Sequence, residues 1–288
     1  MMGSIAINEK TSGIDALNPC ASLMDISYAR VGKRELHLHF YPCPVESKHG
    51  SLIIWIHGGG WRAGAMDIYP PALKLLNRGY SLATIEYRLS AEAKFPAQIS
   101  DCRAAIQFLR AHASHFGIDD QRFAVWGSSA GGHLAALLGT SPHMTEWNTV
   151  GEYRDISAGV QAVVDWYGPT DFLRMNDTPG EVDHLAPDSP ESLLVGGPVK
   201  EYADRACQAS PISHIQKEGP PFLIMHGSHD YTVIPSQSEL LHDALCAAGR
   251  RTELVMVEGA GHGFDLAREP WVVDKVFAFL DKHIAEQK

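Results

Sequence analysis

A serine flanked by two glycines is the first residue whose setting suggests chemistry. Residues 127–131 read Gly-Ser-Ser-Ala-Gly, after an apolar run at 122–126 and before an apolar helical pattern at 133–138. A serine on a sharp turn between a strand and a helix exposes its hydroxyl at the edge of a sheet, as acyl-transfer nucleophiles do. The glycine spacing centres on Ser129 rather than Ser128, so Ser129 is the predicted nucleophile.

A histidine must activate that serine, because a neutral hydroxyl is a weak nucleophile. The chain has 15 histidines, so position along the chain is the useful criterion. His262 lies in Gly-Ala-Gly-His-Gly at 259–263, after the last predicted strand and before the last predicted helix. The flanking glycines let this loop reach over to the serine. His262 is therefore the predicted base.

A buried carboxylate should orient the histidine and stabilise its cation. Asp230 follows the penultimate predicted strand and precedes a helix that starts near Pro235. The chain order serine, aspartate, histidine is that of acyl hydrolases built on an open α/β sheet. Asp171 and Asp204 remain as alternative acids, although a local capping or turn role also accounts for Asp171.

Three consecutive glycines after another predicted strand suggest an oxyanion hole. The sequence His-Gly-Gly-Gly-Trp at 57–61 lets backbone N–H groups approach a substrate oxygen without side chains in the way. The N–H groups of Gly59, Gly60 and Ala130 are the predicted donors. A phosphate-binding loop is the alternative, but no Gly-Lys-Ser/Thr follows and Gly-x-Gly-x-x-Gly is absent from this segment.

Aromatic residues next to these loops are candidates for the substrate pocket. We expect Trp61, Trp166 and Phe264 to line it, although a core position accounts for Trp166 equally well. His57 is interpreted as a structural hydrogen-bonding residue, and His133, four residues after the serine, as packed beneath the turn.

No pattern typical of a metal or cofactor site is found. His226, His229 and His242 occur without a His-Glu-x-x-His or carboxylate-rich motif. The five cysteines are scattered and include no Cys-x-x-Cys pair; they are Cys20, Cys43, Cys102, Cys207 and Cys246. The sequence therefore predicts neither a metal nor a cofactor, and no disulfide framework.

The elements that must position these residues alternate between strands and helices. Candidate strands lie near 23–29, 35–41, 51–56, 80–86, 122–126, 160–166, 221–226 and 252–257. The first two form a predicted hairpin, and the later apolar runs are typical of parallel strands covered on both faces. Helical patterns separate them at 71–78, 96–115, 129–138, 235–248 and 270–284.

This order predicts an α/β protein with a mostly parallel eight-stranded sheet and helices on both faces, as one domain over 1–288. Residues 170–216 interrupt the alternation, with many prolines and carboxylates and only a short helical stretch at 200–208. A segment of this length without regular structure usually covers a site. We interpret it as a lid insertion within the domain.

Composition narrows the class of partner. The 288 residues carry 24 Lys and Arg against 34 Asp and Glu, and a net charge of −10 argues against a nucleic-acid surface. No run of eighteen apolar residues suggests a membrane span, and the first twenty residues lack the features of a signal peptide. We expect a cytoplasmic protein that acts on a small-molecule ester, with the oligomeric state, a homo-oligomer included, left open.

With these motifs, the chain resembles the α/β-hydrolase superfamily, and within it esterases of the hormone-sensitive lipase type. The match is carried by 57–61, 127–132 and 259–263. Shorter segments resemble the carbohydrate and feruloyl esterases first noted in gut bacteria; they are 95–97, 166–171, 189–192 and 220–224.

The resemblance implies a cofactor-independent serine esterase that acts on acetyl, short-chain or feruloyl esters. It implies Ser129, Asp230 and His262 as a catalytic triad. One departure is His229, which stands in the acid loop where a small or acidic residue is more usual. Two other functions remain: an arylformamidase acting on N-formylkynurenine, which shares the His-Gly-Gly-x-Trp motif, and a ligand-binding module without activity on the same scaffold.

Overall fold

The computed structural model describes residues 22–44, 50–67, 70–265 and 268–285. Eight strands form one sheet in the order β1-β2-β4-β3-β5-β6-β7-β8, in which only the β1–β2 and β2–β4 pairs are antiparallel. Their bounds are Leu23–Val31, Arg34–Tyr41, Leu52–Ile56, Ser81–Ile85, Phe123–Ser128, Ala162–Trp166, Phe222–Gly227 and Thr252–Val257. All eight predicted strands are confirmed, within three residues at each end.

The central strands are buried on both faces because their sequences are continuously apolar. Every residue of β3, Leu-Ile-Ile-Trp-Ile, is buried, whereas the pattern of β1 mixes buried and exposed positions. β1 joins β2 through a two-residue turn in which Gly32 has φ of +60°. That left-handed conformation favours glycine and explains why the predicted hairpin turns there.

Seven α-helices connect the strands over the part of the chain that the structure describes. They are α1 Ala97–Ala111, α2 Ala113–Phe116, α3 Ala130–Thr140, α4 Pro190–Val195, α5 Ala203–Ala209, α6 Ser236–Ala247 and α7 Trp271–Leu280. Short 3₁₀ segments lie at Pro70–Arg78, Thr145–Trp147, Phe172–Arg174 and Pro211–His214, and a π-helical turn at Asp281–Ala285 follows α7.

Two separate hydrophobic clusters lie on the two faces of the sheet. One contains Ile99 of α1 and Leu134 of α3, and the other contains Val276 of α7 and Leu75 of the first 3₁₀ segment. Helices therefore cover both faces, as predicted. No helix in the described ranges is both long enough and apolar enough to cross a bilayer.

Two helical predictions need correction. The pattern at 71–78 forms a 3₁₀ helix, and the predicted helix at 96–115 is interrupted at His112. Residues 170–216 also hold more regular structure than predicted. In that segment α4 begins where the Ser189 side chain accepts a hydrogen bond from Ser192 N, with Pro190 in the first turn.

Among the cysteines in the described residues, Cys102, Cys207 and Cys246 are free thiols, and the Cys43 thiol donates to Leu76 O at 3.5 Å. The remaining one, Cys20, lies outside the described residues, as does the whole of the segment in which a signal peptide was sought.

Candidate active site

Three loops at the carboxyl edge of the sheet bring the predicted catalytic residues together. Ser129 directly follows β5, and Asp230 and His262 lie in the loops after β7 and β8. Ser129 Oγ lies 2.9 Å from His262 Nε2, and His262 Nδ1 lies 2.7 Å from Asp230 Oδ2. Because a carboxylate only accepts hydrogen bonds, Nδ1 carries the proton and Nε2 is free to accept from the serine hydroxyl.

The turn that carries Ser129 is strained and tightly packed. Its φ and ψ are 54° and −121°, a combination that residues other than glycine rarely adopt. A side chain at Gly127 would lie 2.1 Å from Gly131 O, and one at Gly131 would lie 2.1 Å from Ile56 O. The glycines are therefore required by close approach between strand β5, helix α3 and strand β3.

The carboxylate of Asp230 is buried and held by several donors. Oδ1 accepts hydrogen bonds from the backbone N–H groups of Thr232 and Val233, each at 2.9 Å. Burial alone would raise the pKa of Asp230, but hydrogen bonds from His226 and His262 outweigh it, so the pKa lies below its ordinary value. Asp230 is therefore ionised at neutral pH and able to stabilise an imidazolium.

The loop that carries His262 packs against the loop that carries Asp230. His229 N donates to Ala260 O at 2.9 Å, and a side chain at Gly227 would lie 2.3 Å from the same oxygen. The side chain of His262 is 23% exposed, whereas that of Asp230 is fully buried. The predicted base is thus accessible to solvent, whereas the predicted acid is not.

The predicted oxyanion donors lie beside the nucleophile. β3 and β5 are adjacent parallel strands, so the loop after Ile56 starts next to the serine turn. A side chain at Gly58 would lie 2.8 Å from Ser128 O, which shows how closely the two loops pack. Within the described residues, the N–H groups of Gly59, Gly60 and Ala130 have no hydrogen-bond acceptor, so they are free to bind a developing oxyanion.

A buried histidine anchors the oxyanion loop. The Trp61 indole N–H donates to His133 Nδ1 at 3.2 Å, and His133 Nε2 donates to Ala209 O at 2.7 Å. Trp61 also has a left-handed φ of 55°. His133 therefore lies beneath the serine turn, as predicted, and connects the oxyanion loop to helix α5.

Burial lowers the pKa of His133 to about 4, against the opposing effect of its hydrogen bond to Ala209. As pH falls below 6.5 the unfolded chain takes up a proton at this position, whereas the folded protein does so only near pH 4. Stability therefore falls with falling pH between these values. We expect His133→Gln to remove about 2 kcal/mol of the difference in unfolding free energy between pH 7 and pH 5, measured by urea denaturation.

The pH dependence of the unfolding free energy must be compared between wild type and variant. Burial also raises the pKa of Asp165 to about 7, and this shift makes stability rise as pH falls, which is opposite to the effect of His133. The exposed His143 provides the matched control. His143→Gln should leave the pH dependence of unfolding unchanged. An unaltered slope in His133→Gln would contradict the assignment of His133 as a neutral buried histidine.

Two of the three residues predicted to line the pocket are buried in the structure, and for Trp166 this is the core position that the sequence also allowed. Trp61 and Trp166 are each 1% exposed and belong to the core, so neither presents a surface to substrate. Phe264 is only partly buried and packs edge-on against Trp166, with ring centroids 4.9 Å apart. The position of these tryptophans next to the predicted catalytic loops thus reflects packing in the core rather than contact with a substrate.

Sequence reasoning missed the role of Tyr167. This residue follows β6 with a φ of 45°, and its ring centroid lies 4.9 Å from that of His262 in an edge-on arrangement. Its backbone N donates to Met225 O at 2.8 Å. Tyr167 therefore packs against the imidazole of the predicted base. A left-handed tyrosine gives no signal in the sequence.

The alternative acids lie elsewhere. The Asp171 carboxylate caps the following 3₁₀ segment by accepting from Leu173 N at 3.1 Å, which is the local role considered from the sequence. Asp204 lies in α5. His57 is buried and stacks on the Tyr87 ring, with centroids 4.3 Å apart, in agreement with a structural role. No group of three or more potential metal ligands occurs among the described residues.

Comparison with known proteins places the chain in a family. The model of the BD-FAE family matches residues 38–245, which is more than half of the chain. The chain belongs to the BD-FAE family. This match confirms the resemblance to hormone-sensitive-lipase-type esterases.

Individual relatives and structural neighbours agree with this placement. Esterase LipC of Mycobacterium tuberculosis is 33% identical over 226 residues, which cover 77% of this BD-FAE chain and 55% of LipC. The chain thus spans little more than half of that relative. A truncated carbohydrate esterase from gut microbiota superposes with a TM-score of 0.84 at 29% identity, over 93% of this chain and 97% of that one.

A further solved neighbour is esterase 2 of Thermogutta terrifontis, bound to propionate. It has a TM-score of 0.74 and 28% identity, over 90% of this chain and 93% of that one. The same esterase has also been solved phosphorylated by paraoxon. Together with the sheet order, these likenesses confirm the predicted α/β-hydrolase fold.

Proposed function

We propose that this protein is a carboxylic ester hydrolase in which Ser129, His262 and Asp230 act as nucleophile, base and acid. The observation that supports this most strongly is the continuous series of hydrogen bonds, 2.9 Å from Ser129 Oγ to His262 Nε2 and 2.7 Å from His262 Nδ1 to Asp230 Oδ2. Distances of this size allow proton transfer without prior rearrangement.

In the first half of the reaction, Ser129 Oγ attacks the carbonyl carbon of the ester while its proton passes to His262 Nε2. The carbonyl π electrons move to the oxygen, where the N–H groups of Gly59, Gly60 and Ala130 stabilise the negative charge. Asp230 stabilises the imidazolium. The carbonyl then re-forms, the bond to the alcohol oxygen breaks, and the proton on His262 passes to that oxygen.

In the second half, water attacks the acyl-serine. His262 Nε2 takes a proton from the water, and the same N–H groups bind the new oxyanion. When the bond between the acyl carbon and Ser129 Oγ breaks, His262 returns its proton to the serine. The products are a carboxylic acid and an alcohol, and the enzyme is unchanged.

We propose small to medium acyl groups as substrates, with acetyl, short-chain and feruloyl esters as the class. Two observations on neighbouring proteins support this choice: one is a carbohydrate esterase, and another binds propionate.

We retain the interpretation of 170–216 as a lid. Its helix α4 lies against the oxyanion loop, since a side chain at Gly60 would be 3.3 Å from Pro190 Cβ. Its Glu181 N donates to Tyr231 O, next to Asp230, at 2.7 Å. The segment therefore packs against the oxyanion loop and the acid loop together, and this contact supports a role in bounding the substrate.

An ester panel tests the proposed activity. We expect purified protein to hydrolyse p-nitrophenyl acetate and butyrate, and to act on at least one of methyl ferulate and acetylated xylo-oligosaccharide. N-formylkynurenine is included, because faster turnover of that amide would instead favour an arylformamidase. Binding of these compounds without release of acid would contradict the proposal and favour a ligand-binding module.

A further inference from the structure

A second histidine contacts the aspartate of the proposed triad. His226 lies on β7, is fully buried, and has its Nε2 atom 3.2 Å from Asp230 Oδ2. The same Nε2 lies 2.8 Å from Val233 O, and Nδ1 lies 2.6 Å from the Ser238 hydroxyl on α6. The ester hydrolysis mechanism described above does not use this histidine.

These contacts fix which nitrogen of His226 donates to Asp230. A carbonyl oxygen and a carboxylate oxygen both only accept, so Nε2 must carry a proton and share it between Val233 O and Asp230 Oδ2. Nδ1 can then accept from the Ser238 hydroxyl, so both ring nitrogens have a hydrogen-bond partner.

We propose that His226 is a positioning residue that holds Asp230 Oδ2 in line with His262, and that Ser238 keeps His226 in the tautomer able to do so. Oδ1 is fixed by two backbone N–H groups, whereas Oδ2 has His226 as its partner besides the catalytic base. This inference rests on the proposed triad.

The surroundings offer few other groups that could take over this task. Asp230 and Tyr167 are the titratable groups in contact with His226 among the described residues, and the Tyr167 ring is 6.3 Å from it between centroids. Without His226, the buried carboxylate would lose one of its four donors, and His262 would be the one remaining partner of Oδ2 among those named above. Turnover should suffer more than substrate binding, because Asp230 acts when His262 becomes charged.

The test compares two substitutions at position 226. His226→Leu keeps a similar volume but donates no hydrogen bond, and should lower kcat for p-nitrophenyl acetate about 10- to 100-fold with little change in KM, since hydrogen bonds to charged groups are worth that much. His226→Gln can place an amide N–H near the position of Nε2, and should recover kcat to within a few-fold of wild type.

Two smaller substitutions on α6 test the same proposal with variants that are less disruptive to folding than those at position 226. Ser238→Ala removes the hydroxyl that fixes the tautomer and should lower kcat about 3- to 10-fold. Ser236→Ala is the matched control, because its buried hydroxyl has no hydrogen-bond partner in the structure, and it should leave kcat unchanged. Titration with a phosphonate gives the concentration of competent sites, so that a folding loss is separated from a loss in turnover.

A double-mutant cycle decides whether the effect passes through the acid. In an Asp230→Asn background, His226→Leu should lower kcat by less than a factor of two, because the carboxylate that it positions is gone. Equal losses in both backgrounds, or wild-type kcat in His226→Leu, would overturn this inference. If wild-type protein hydrolyses no ester, the proposed function fails instead, and the two failures are thereby distinguished.

Discussion

Ser129→Ala is expected to lower kcat/KM for p-nitrophenyl acetate by about 10⁴- to 10⁶-fold, the largest effect of any single substitution in this chain. Without Oγ no acyl-enzyme can form, and only the oxyanion donors and substrate binding remain to assist direct attack by water. Folding should be unaffected, because the serine hydroxyl bonds to no residue but His262 in the part of the chain that the structure describes, and the backbone N–H of residue 129 still reaches Trp166 O.

The adjacent serine provides the control for that experiment. Ser128→Ala removes a hydroxyl from the same turn but should retain activity within a few-fold of wild type. A phosphonate should label wild-type protein and Ser128→Ala at the peptide that contains Ser129, and should leave Ser129→Ala unlabelled, as read by mass spectrometry. Retained turnover in Ser129→Ala would end its assignment as nucleophile.

Asp230→Asn is expected to have the second largest effect, a fall in kcat on the order of 10⁴-fold. The amide oxygen can still accept from Thr232 N and Val233 N, so its NH₂ group would point toward His262 Nδ1. A donor in that position stabilises the tautomer with the proton on Nε2, which cannot accept the serine proton. The variant should therefore fold but remain inactive at neutral pH.

Asp171→Asn is the matched control, because Asp171 is the other aspartate at this edge of the sheet that sequence considerations offered as the acid. Its substitution should alter only a local cap to Leu173 N and leave kcat within about two-fold of wild type. If Asp171→Asn were inactive and Asp230→Asn active, the acid would have been assigned to the wrong loop. Steady-state kinetics on both variants decide between them.

The convergence of the three candidate catalytic loops could be predicted from the sequence, because parallel strands deliver their following residues to one edge of the sheet. The runs that became β5, β7 and β8 are apolar enough to recognise, and Ser129, Asp230 and His262 each follow one of them. The order of the residues along the chain then restricted the acid to few candidates. No three-dimensional information was needed for this step.

The supporting contacts could not be predicted in the same way. His226 contacts Asp230, and Tyr167 contacts His262, only because the fold brings these residues together. Nothing in the sequence around His226 or Tyr167 distinguishes them from residues with purely structural contacts. Proximity to the predicted catalytic loops suggests a pocket position for Trp61 and Trp166. In the structure, however, Trp61 packs against His133 and Phe172, and Trp166 packs against Trp126 and Phe264. Helix α4 was missed because six residues are too few for a periodic pattern.

Three of the four non-glycine residues with left-handed φ in the described structure are Trp61, Ser129 and Tyr167, and all lie at the catalytic edge. The main chain, held by the sheet beneath, thus determines where the hydroxyl and the N–H donors point. Side chains that face an incoming ester can be exchanged without disturbing that framework. Proteins descended from one such gene can therefore acquire different substrate specificities while they keep the same reaction mechanism.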